Sequence, residues 1–503
     1  MAFRPNDPPP PPGKGPAPGA PAPKPAAPPA KPEATAKVVA KPQPGSVSRL
    51  RPEPAAKRLV SLDAYRGFIM TLLAAHGFGI LALSKTAESS VLWKILDRDA
   101  WTRLAFHFNH PAWRSNFLFG PSTDPLEGNP WLRGAVSLWD LIQPAFMFMV
   151  GVAMAYSARK RDAEGEPRWK QWLHAFIRAI VLVLLGVFLS SNSRDISTTH
   201  WEFPNVLAQI GLGYIFVFAT VRWRWWGQVA AIATILIGTW AAFFMHTAPE
   251  DYNFGFVDAS AERGEVLDPP FRQWSKNGNF AHAVDVKLLN ELPRLEDKEG
   301  QPIPFVRNGG GYQTLNFLPS IATMILGVLC GQILQRPVSP WKRVGFLVGL
   351  AALCFLLGMV ASVYACPIVK RIWTPSWVLF SGGYVIAMLA LFYALFDALP
   401  LGVAAFPLVV VGTNSLLIYL MGQTMTGWTR EKVIHTHFGK GIEWVLGRIA
   451  DSTGLAAKLG DTMRPPGVVL YELFGPVIDA TAVFAVFWLV LYALYRKRIF
   501  MRV

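Results

Sequence analysis

Apolar residues run along this chain in long blocks, and the polar residues are swept into the gaps between them. Ten such blocks predict helices, at about 67–84, 136–158, 173–190, 204–221, 226–245, 313–335, 344–364, 375–397, 403–425 and 475–495. An apolar run of roughly 18 residues or more is long enough to cross a bilayer. The pattern is that of an all-α polytopic membrane protein. An eleventh, half-length segment falls near Val468–Leu473. Three of the gaps are long, about 85–135, 246–312 and 426–467. Loops beyond about 15 residues are commonly functional or disordered. These contain Trp and Phe, which disordered spacers seldom do.

Composition supports the same class. Of 503 residues, 52% are hydrophobic and 16% charged, against about 25% charged in average soluble proteins. The first 56 residues stand apart, holding 18 of the 41 prolines with Ala and Lys between them. Such a segment buries too little apolar surface to offset its ordering entropy, so residues 1–56 read as a disordered, partly polyproline-II tail and 57–503 as the transmembrane domain. No apolar core follows the first basic residues, so the tail is not a signal peptide. Ten Lys or Arg against three acids in the first 58 residues suit a cytoplasmic tail near anionic lipid. The net charge of +15 sits mostly in tails and short loops, which does not point to nucleic acid.

Charge in the short loops sets the expected orientation. "RKRDAEGEPRWK" after the second block, "RWR" before the fifth, "RPVSPWKR" after the sixth and the C-terminal "YRKRIFMRV" fall on one side. The chain reads as N-in and C-in, with the three long connections outside. "CPIVKRIW", with Lys370 and Arg371, is the exception.

Some residues resist explanation as packing. "FHFNHPAWRS" sets His107 and His110 beside Asn109, Trp113 and Arg114, between two apolar blocks. Asp140 lies in "VSLWDLIQPAFMFMVG", where a charge is costly unless paired or facing a wet cavity; an interfacial helix cap is the plainer alternative. His76, beside Gly77 and Gly79 in the first block, is either a site residue or a histidine satisfied by a neighbouring helix. Lys370, Trp373, Thr374 and Ser376 lead into the eighth block, where Trp373 and Trp377 also suit an aromatic belt. Asn414 and Ser415 in "GTNSLLIY" are either ligand-facing or interhelical glue. His435 and His437 lack a third ligand for metal, and Cys330, Cys354 and Cys366 show neither disulfide nor metal spacing. No Walker loop, dinucleotide-binding glycine fingerprint, HExxH or GxSxG is found, and no clear internal duplication of the blocks marks a repeat-built transporter.

Several ordered blocks resemble a known family, the heparan-α-glucosaminide N-acetyltransferase-like transmembrane acyltransferases, including bacterial members of the DUF5009 type. They are "RLVSLDAYRGFIM", "HPAWRS" with "SLWDLIQPAFMFMVGVAMAYS", "FPNVLAQIGLGY", "LPSIATMILGVLCGQIL", "VKRIWTPSW" and "GTNSLLIY", spanning about Arg58 to Tyr419. The resemblance implies transfer of an acetyl group from cytoplasmic acetyl-CoA to an amino sugar or hydroxyl of an extracytoplasmic glycan or glycolipid, without a metal. It singles out His110, in the family's His-x-x-Trp position, as catalyst, a role suited to an imidazole as base or acetyl carrier. Asp140 would orient it; His76, Trp113, Lys370, Trp373, Ser376 and Asn414 become candidates for substrate binding. Arg159, Lys160 and Arg161 become candidates for the CoA phosphates, though enforcing topology is the simpler role. The family's asparagine near the end of its first span falls at His76–Gly77 here, and its Gln-Arg pair reads Ala208-Gln209. A bacterial plasma-membrane location and a homodimer fit the resemblance. The alternatives are a transporter or flippase for a lipid-linked saccharide, and a scaffold whose tail recruits partners.

Overall fold

Helices account for 71% of the described residues, and none of those residues forms a strand. The computed structural model describes residues 59–115, 136–192, 199–459 and 463–501. The proline-rich tail expected over residues 1–56 lies outside the described residues, as do residues 116–135 of the first long connection.

In chain order the principal helices are α1 Val60–Ala74, α2 Ile80–Ser84, α3 Arg98–Phe106, α4 Leu138–Ala163, α5 Arg168–Asn192, α6 Val206–Thr220, α7 Trp225–Met245, α8 Phe280–Asn290, α9 Phe317–Leu334, α10 Pro340–Tyr364, α11 Pro375–Tyr393, α12 Phe406–Thr413, α13 Ser415–Thr424, α14 Thr436–Thr453 and α15 Pro466–Arg496. Side chains cap many of the starts, taking up amides that a helix cannot bond internally. Ser137 caps α4, Asn205 caps α6, Asn279 caps α8 and Thr374 caps α11. The first amides of α1 reach further, Val60 and Ser61 donating to the carboxylate of Asp397 at 3.1 and 3.0 Å.

Seven helices among the described residues are long and apolar enough to cross a membrane, and nine if each of two bent pairs is one span. All ten expected blocks are helical, but the expected count of ten spans is not reached: α6 has 15 residues, fewer than the roughly 20 a span needs. The bends explain two of the blocks. Between α1 and α2 the axis turns by 48°, where Gly77 and Gly79 take positive φ values of 60° and 69°. A side chain at Gly79 would meet the Pro476 carbonyl oxygen of α15 at 2.1 Å. The half-length segment expected near Val468–Leu473 is instead the start of the 31-residue α15. The 426–467 connection, expected as a long external loop, is largely helix through α14.

Helices α4, α9 and α11 form the centre, with 67%, 78% and 61% of their most apolar stretches buried; α7, α10 and α15 lie outside with 22%, 22% and 17%. Their exposed Phe, Leu, Ile and Val side chains are what a lipid-facing surface requires. Inside a bilayer, helices associate by close backbone approach rather than by hydrophobicity. The α4–α9 contact shows this: a side chain at Gly151 would meet the Met324 oxygen at 1.8 Å, and one at Gly327 the Phe148 oxygen at 2.0 Å. This packing fixes α4, and with it the position of Asp140 near its start.

Candidate functional site

Asp140 sits in the first turn of α4 because Ser137 caps that helix, its hydroxyl accepting the Asp140 amide at 3.1 Å. The positive end of the helix dipole favours a carboxylate there. Asp140 is 4% exposed, so it needs partners. It has two. His110 Nδ1 lies 2.6 Å from Asp140 Oδ1, and Lys370 Nζ lies 3.1 Å from the same oxygen. Lys370 Nζ is also 3.2 Å from His110 Nδ1.

Three separate stretches are stitched together to make this contact. The Trp139 amide donates to the His107 carbonyl at 3.0 Å, tying the histidine segment to the start of α4, and the Ser115 amide donates to the Ile368 carbonyl at 2.9 Å. The Arg371 guanidinium spans Pro111 O at 3.4 Å and Gly310 O at 3.3 Å. The Lys370 loop is held by Thr374, whose hydroxyl accepts the Val369 amide at 3.1 Å, and by Trp373 at a positive φ of 51°. Trp113 is buried, donating from Nε1 to the Trp274 carbonyl at 3.0 Å. Gly311 presses on its ring; a side chain there would meet it at 2.5 Å.

The protonation pattern follows from the partners. An ionised Asp140 only accepts hydrogen bonds, so His110 carries its proton on Nδ1 and keeps a lone pair on Nε2. The His110 side chain is 38% exposed. Burial pushes its pKa below the ordinary 6.5, against the raising effect of its hydrogen bond to Asp140, and the Lys370 charge adds to the lowering. The resting imidazole is therefore neutral at pH 7. Burial disfavours the Lys370 ammonium, but Asp140 beside it outweighs that and raises its pKa above the lysine value. Lys370 Nζ also faces the Tyr312 ring at 5.7 Å, a cation–π contact.

The other residues singled out in the sequence fall in different places. Trp373 donates to Thr323 Oγ1 at 3.4 Å and Ser376 to the Pro367 carbonyl at 2.7 Å, so both build the Lys370 loop. His76 lies exposed in the break after α1, at φ 46°, and takes no part in the hydrogen bonds around Asp140. Asn414 anchors the C-terminal segment, donating to Ile499 O at 3.2 Å and accepting the Met501 amide at 2.9 Å. Arg159, Lys160 and Arg161 sit in the last turns of α4, roughly 30 Å from Asp140 along its axis at 1.5 Å per residue. Arg159 bonds to Gln335, Lys160 pairs with Glu164 and Arg161 with Glu166, so each has a different local partner.

His107, noticed beside His110 but given no role, acts through its carbonyl. Arg371, noticed only as part of the exception to the loop-charge pattern, clamps two loops. Tyr312, which faces Lys370 with its ring, left no signal.

The family model described as "Heparan-alpha-glucosaminide N-acetyltransferase, catalytic" matches residues 125–264. That stretch contains Asp140; His110 lies 15 residues before it. Over these residues the chain is similar to that acetyltransferase family, in agreement with the resemblance carried by the ordered blocks. No curated protein matches the chain.

Proposed function

We propose that this integral membrane protein transfers an acetyl group from acetyl-CoA to an amino sugar or hydroxyl of a glycan on the far side of the membrane, with His110 as base or acetyl carrier. The observation that carries this reading is the 2.6 Å contact between His110 Nδ1 and the buried Asp140, at the start of a helix that the acetyltransferase family model covers. A histidine oriented through Nδ1 by a carboxylate, with Nε2 free to take a proton or attack a carbonyl, is a recurring acyl-transfer arrangement.

Two routes use the same nitrogen. As base, Nε2 takes the proton of the acceptor amine or hydroxyl while that atom attacks the thioester carbonyl, and the thiolate leaves. As carrier, Nε2 attacks the thioester itself and the thiolate departs; the acceptor then attacks the acetyl carbon, the bond to Nε2 breaks, and the freed Nε2 takes the acceptor's proton. In both, Asp140 stabilises the positive charge that develops on the ring. Lys370 and Arg371 make the surroundings electropositive, which suits the oxyanion formed at the carbonyl. We place the His110 end of α4 outside and the Arg159–Arg161 end in the cytoplasm, following the basic residues of the short loops. There the trio would meet the donor's phosphates after exchanging its local partners.

Membranes carrying the wild-type protein or His110→Ala, incubated with radiolabelled acetyl-CoA, test the proposal. The variant is expected to lose at least a hundredfold in label transferred to acceptor. Equal incorporation by both would remove His110 from the chemistry.

A further inference from the structure

We propose that Lys370 is a positioning residue for this reaction. Its ammonium occupies Asp140 Oδ1 beside His110, and thereby holds the imidazole uncharged, protonated on Nδ1 and open on Nε2. This rests on the acetyltransferase reading of the site and adds to it a residue that acts through Asp140 and His110.

The need for such a residue comes from the Asp140–His110 pair itself. A carboxylate buried next to an imidazole favours imidazolium, because the added proton gives the buried anion a countercharge. Imidazolium has no lone pair and serves neither as base nor as nucleophile. Lys370 supplies the countercharge from elsewhere: Nζ is 3.1 Å from Asp140 Oδ1 and 3.2 Å from His110 Nδ1. A second cation so close to Nδ1 makes ring protonation unfavourable, while the Nδ1–H to Asp140 bond still fixes the tautomer.

The placement of Lys370 is built rather than incidental. The residue is 6% exposed, so water does not share its charge. Its loop is bridged to the histidine segment through Ser115 and Ile368, and turned by Trp373 in a positive-φ conformation that non-glycine residues seldom adopt. Among the described residues, the charged groups around His110 are Asp140 from α4 and Lys370 and Arg371 from the 366–374 loop; Tyr312 faces Lys370, and His107 and Arg114 are titratable neighbours on its own segment. Burial lowers the His110 pKa most, Asp140 opposes it, and both loop cations add to the lowering. Neutralising Asp140 merely for the sake of burial would not require the ammonium to sit within hydrogen-bonding distance of the imidazole as well.

The test reads the protonation of His110 without relying on activity. Diethyl pyrocarbonate modifies neutral imidazole, and peptide mass spectrometry with fragmentation separates His110 from His107. The full chain in detergent or nanodiscs is titrated as wild type, Lys370→Met and Lys370→Gln. The glutamine amide can still donate to Asp140, so that variant removes the charge while keeping a hydrogen bond if Lys370→Met fails to fold. The midpoint for His110 is expected to rise by roughly 1–4 pH units in both, the span given by a unit charge about 3 Å away at effective dielectrics between water and protein. The acid limb of labelled-acetyl transfer is expected to move with it. An unchanged His110 midpoint in folded Lys370→Gln overturns the proposal. If acetyl transfer proves independent of His110, the catalytic role given to His110 falls, while an upward-shifted midpoint would still establish the hold of Lys370 on the ring.

Discussion

Replacing Asp140 with Asn separates the two services this carboxylate performs. Asp140 Oδ1 receives His110 Nδ1 at 2.6 Å and Lys370 Nζ at 3.1 Å. Asparagine keeps the shape but removes the charge, leaving the Lys370 ammonium buried without its anion. Breaking a buried pair from one side costs about 3–5 kcal/mol, so the melting temperature should fall by several degrees. The catalytic loss has a different origin. The asparagine amide can donate to Nδ1, which moves the ring proton to Nε2 and occupies the nitrogen the reaction needs. Loss of tautomer control in a Ser-His-Asp enzyme costs about 10⁴ in turnover; a solvent-reachable ring recovers some of this, so about 10²–10⁴ is expected here. That is about 3–5 kcal/mol on the barrier.

Single-turnover transfer of labelled acetyl, measured beside a thermal melt, follows both effects. The double variant Asp140→Asn with Lys370→Met keeps them apart, because removing both charges restores a neutral interior. It is expected to recover most of the lost stability and none of the lost rate. Turnover by folded Asp140→Asn within about threefold of wild type would refute the assignment of tautomer control to Asp140.

Further outcomes follow from the same structure. Acetyl transfer should be level above about pH 7 and fall about tenfold per unit below a midpoint under the ordinary histidine value of 6.5, since burial lowers the His110 pKa; a limb centred above pH 7 would contradict a neutral resting imidazole. Asp285, 2% exposed in α8, has its pKa pushed up to about 6 by burial. The folded state therefore binds the extra proton between about pH 4 and 6, and stability falls as pH rises through that window. Asp285→Asn, which keeps an oxygen for the Thr314 amide, should raise the melting point at pH 8 by the equivalent of up to about 3 kcal/mol and change little at pH 4. An equal shift at both pH values would tell against an ionised buried Asp285. Gly327→Leu should force α9 away from Phe148 on α4, lowering both the melting point and activity; an unshifted melt would show that the contact yields easily.

Much of this architecture was legible in the sequence, because crossing a bilayer leaves long uninterrupted apolar runs. The exceptions have local causes. Val206–Thr220 is too short to count as a span, and nothing in the hydropathy of a short block separates it from a longer one whose ends are blurred. The first block breaks at Gly77 and Gly79 because α15 passes close by at Pro476, a contact formed with a residue some 400 positions away. The 426–467 stretch is polar enough to read as a loop, yet it continues as helix beyond α13, packing on the early turns of α15.

The site was partly visible for a different reason. His110 and Asp140 each stood out, because an imidazole beside an apolar run and a carboxylate within one are costly unless they are used or paired. Their pairing is not a local property, since it depends on how residues 107–115 are tied to the start of α4 through His107 O and Trp139 N. Lys370 lies 260 positions from His110 and first drew attention as a violation of the loop-charge pattern. If the chain lies N-in and C-in as its short loops suggest, that departure has a physical explanation. A lysine fully withdrawn from water and bound to a buried carboxylate does not present its charge to the surface, so it gives no reliable information about orientation. The same holds less strictly for Arg371, whose guanidinium spends its hydrogen bonds on Pro111 O and Gly310 O. Charges that depart from the orientation rule are therefore the ones to examine for a buried partner. In this chain that partner is Asp140, the residue that also fixes His110.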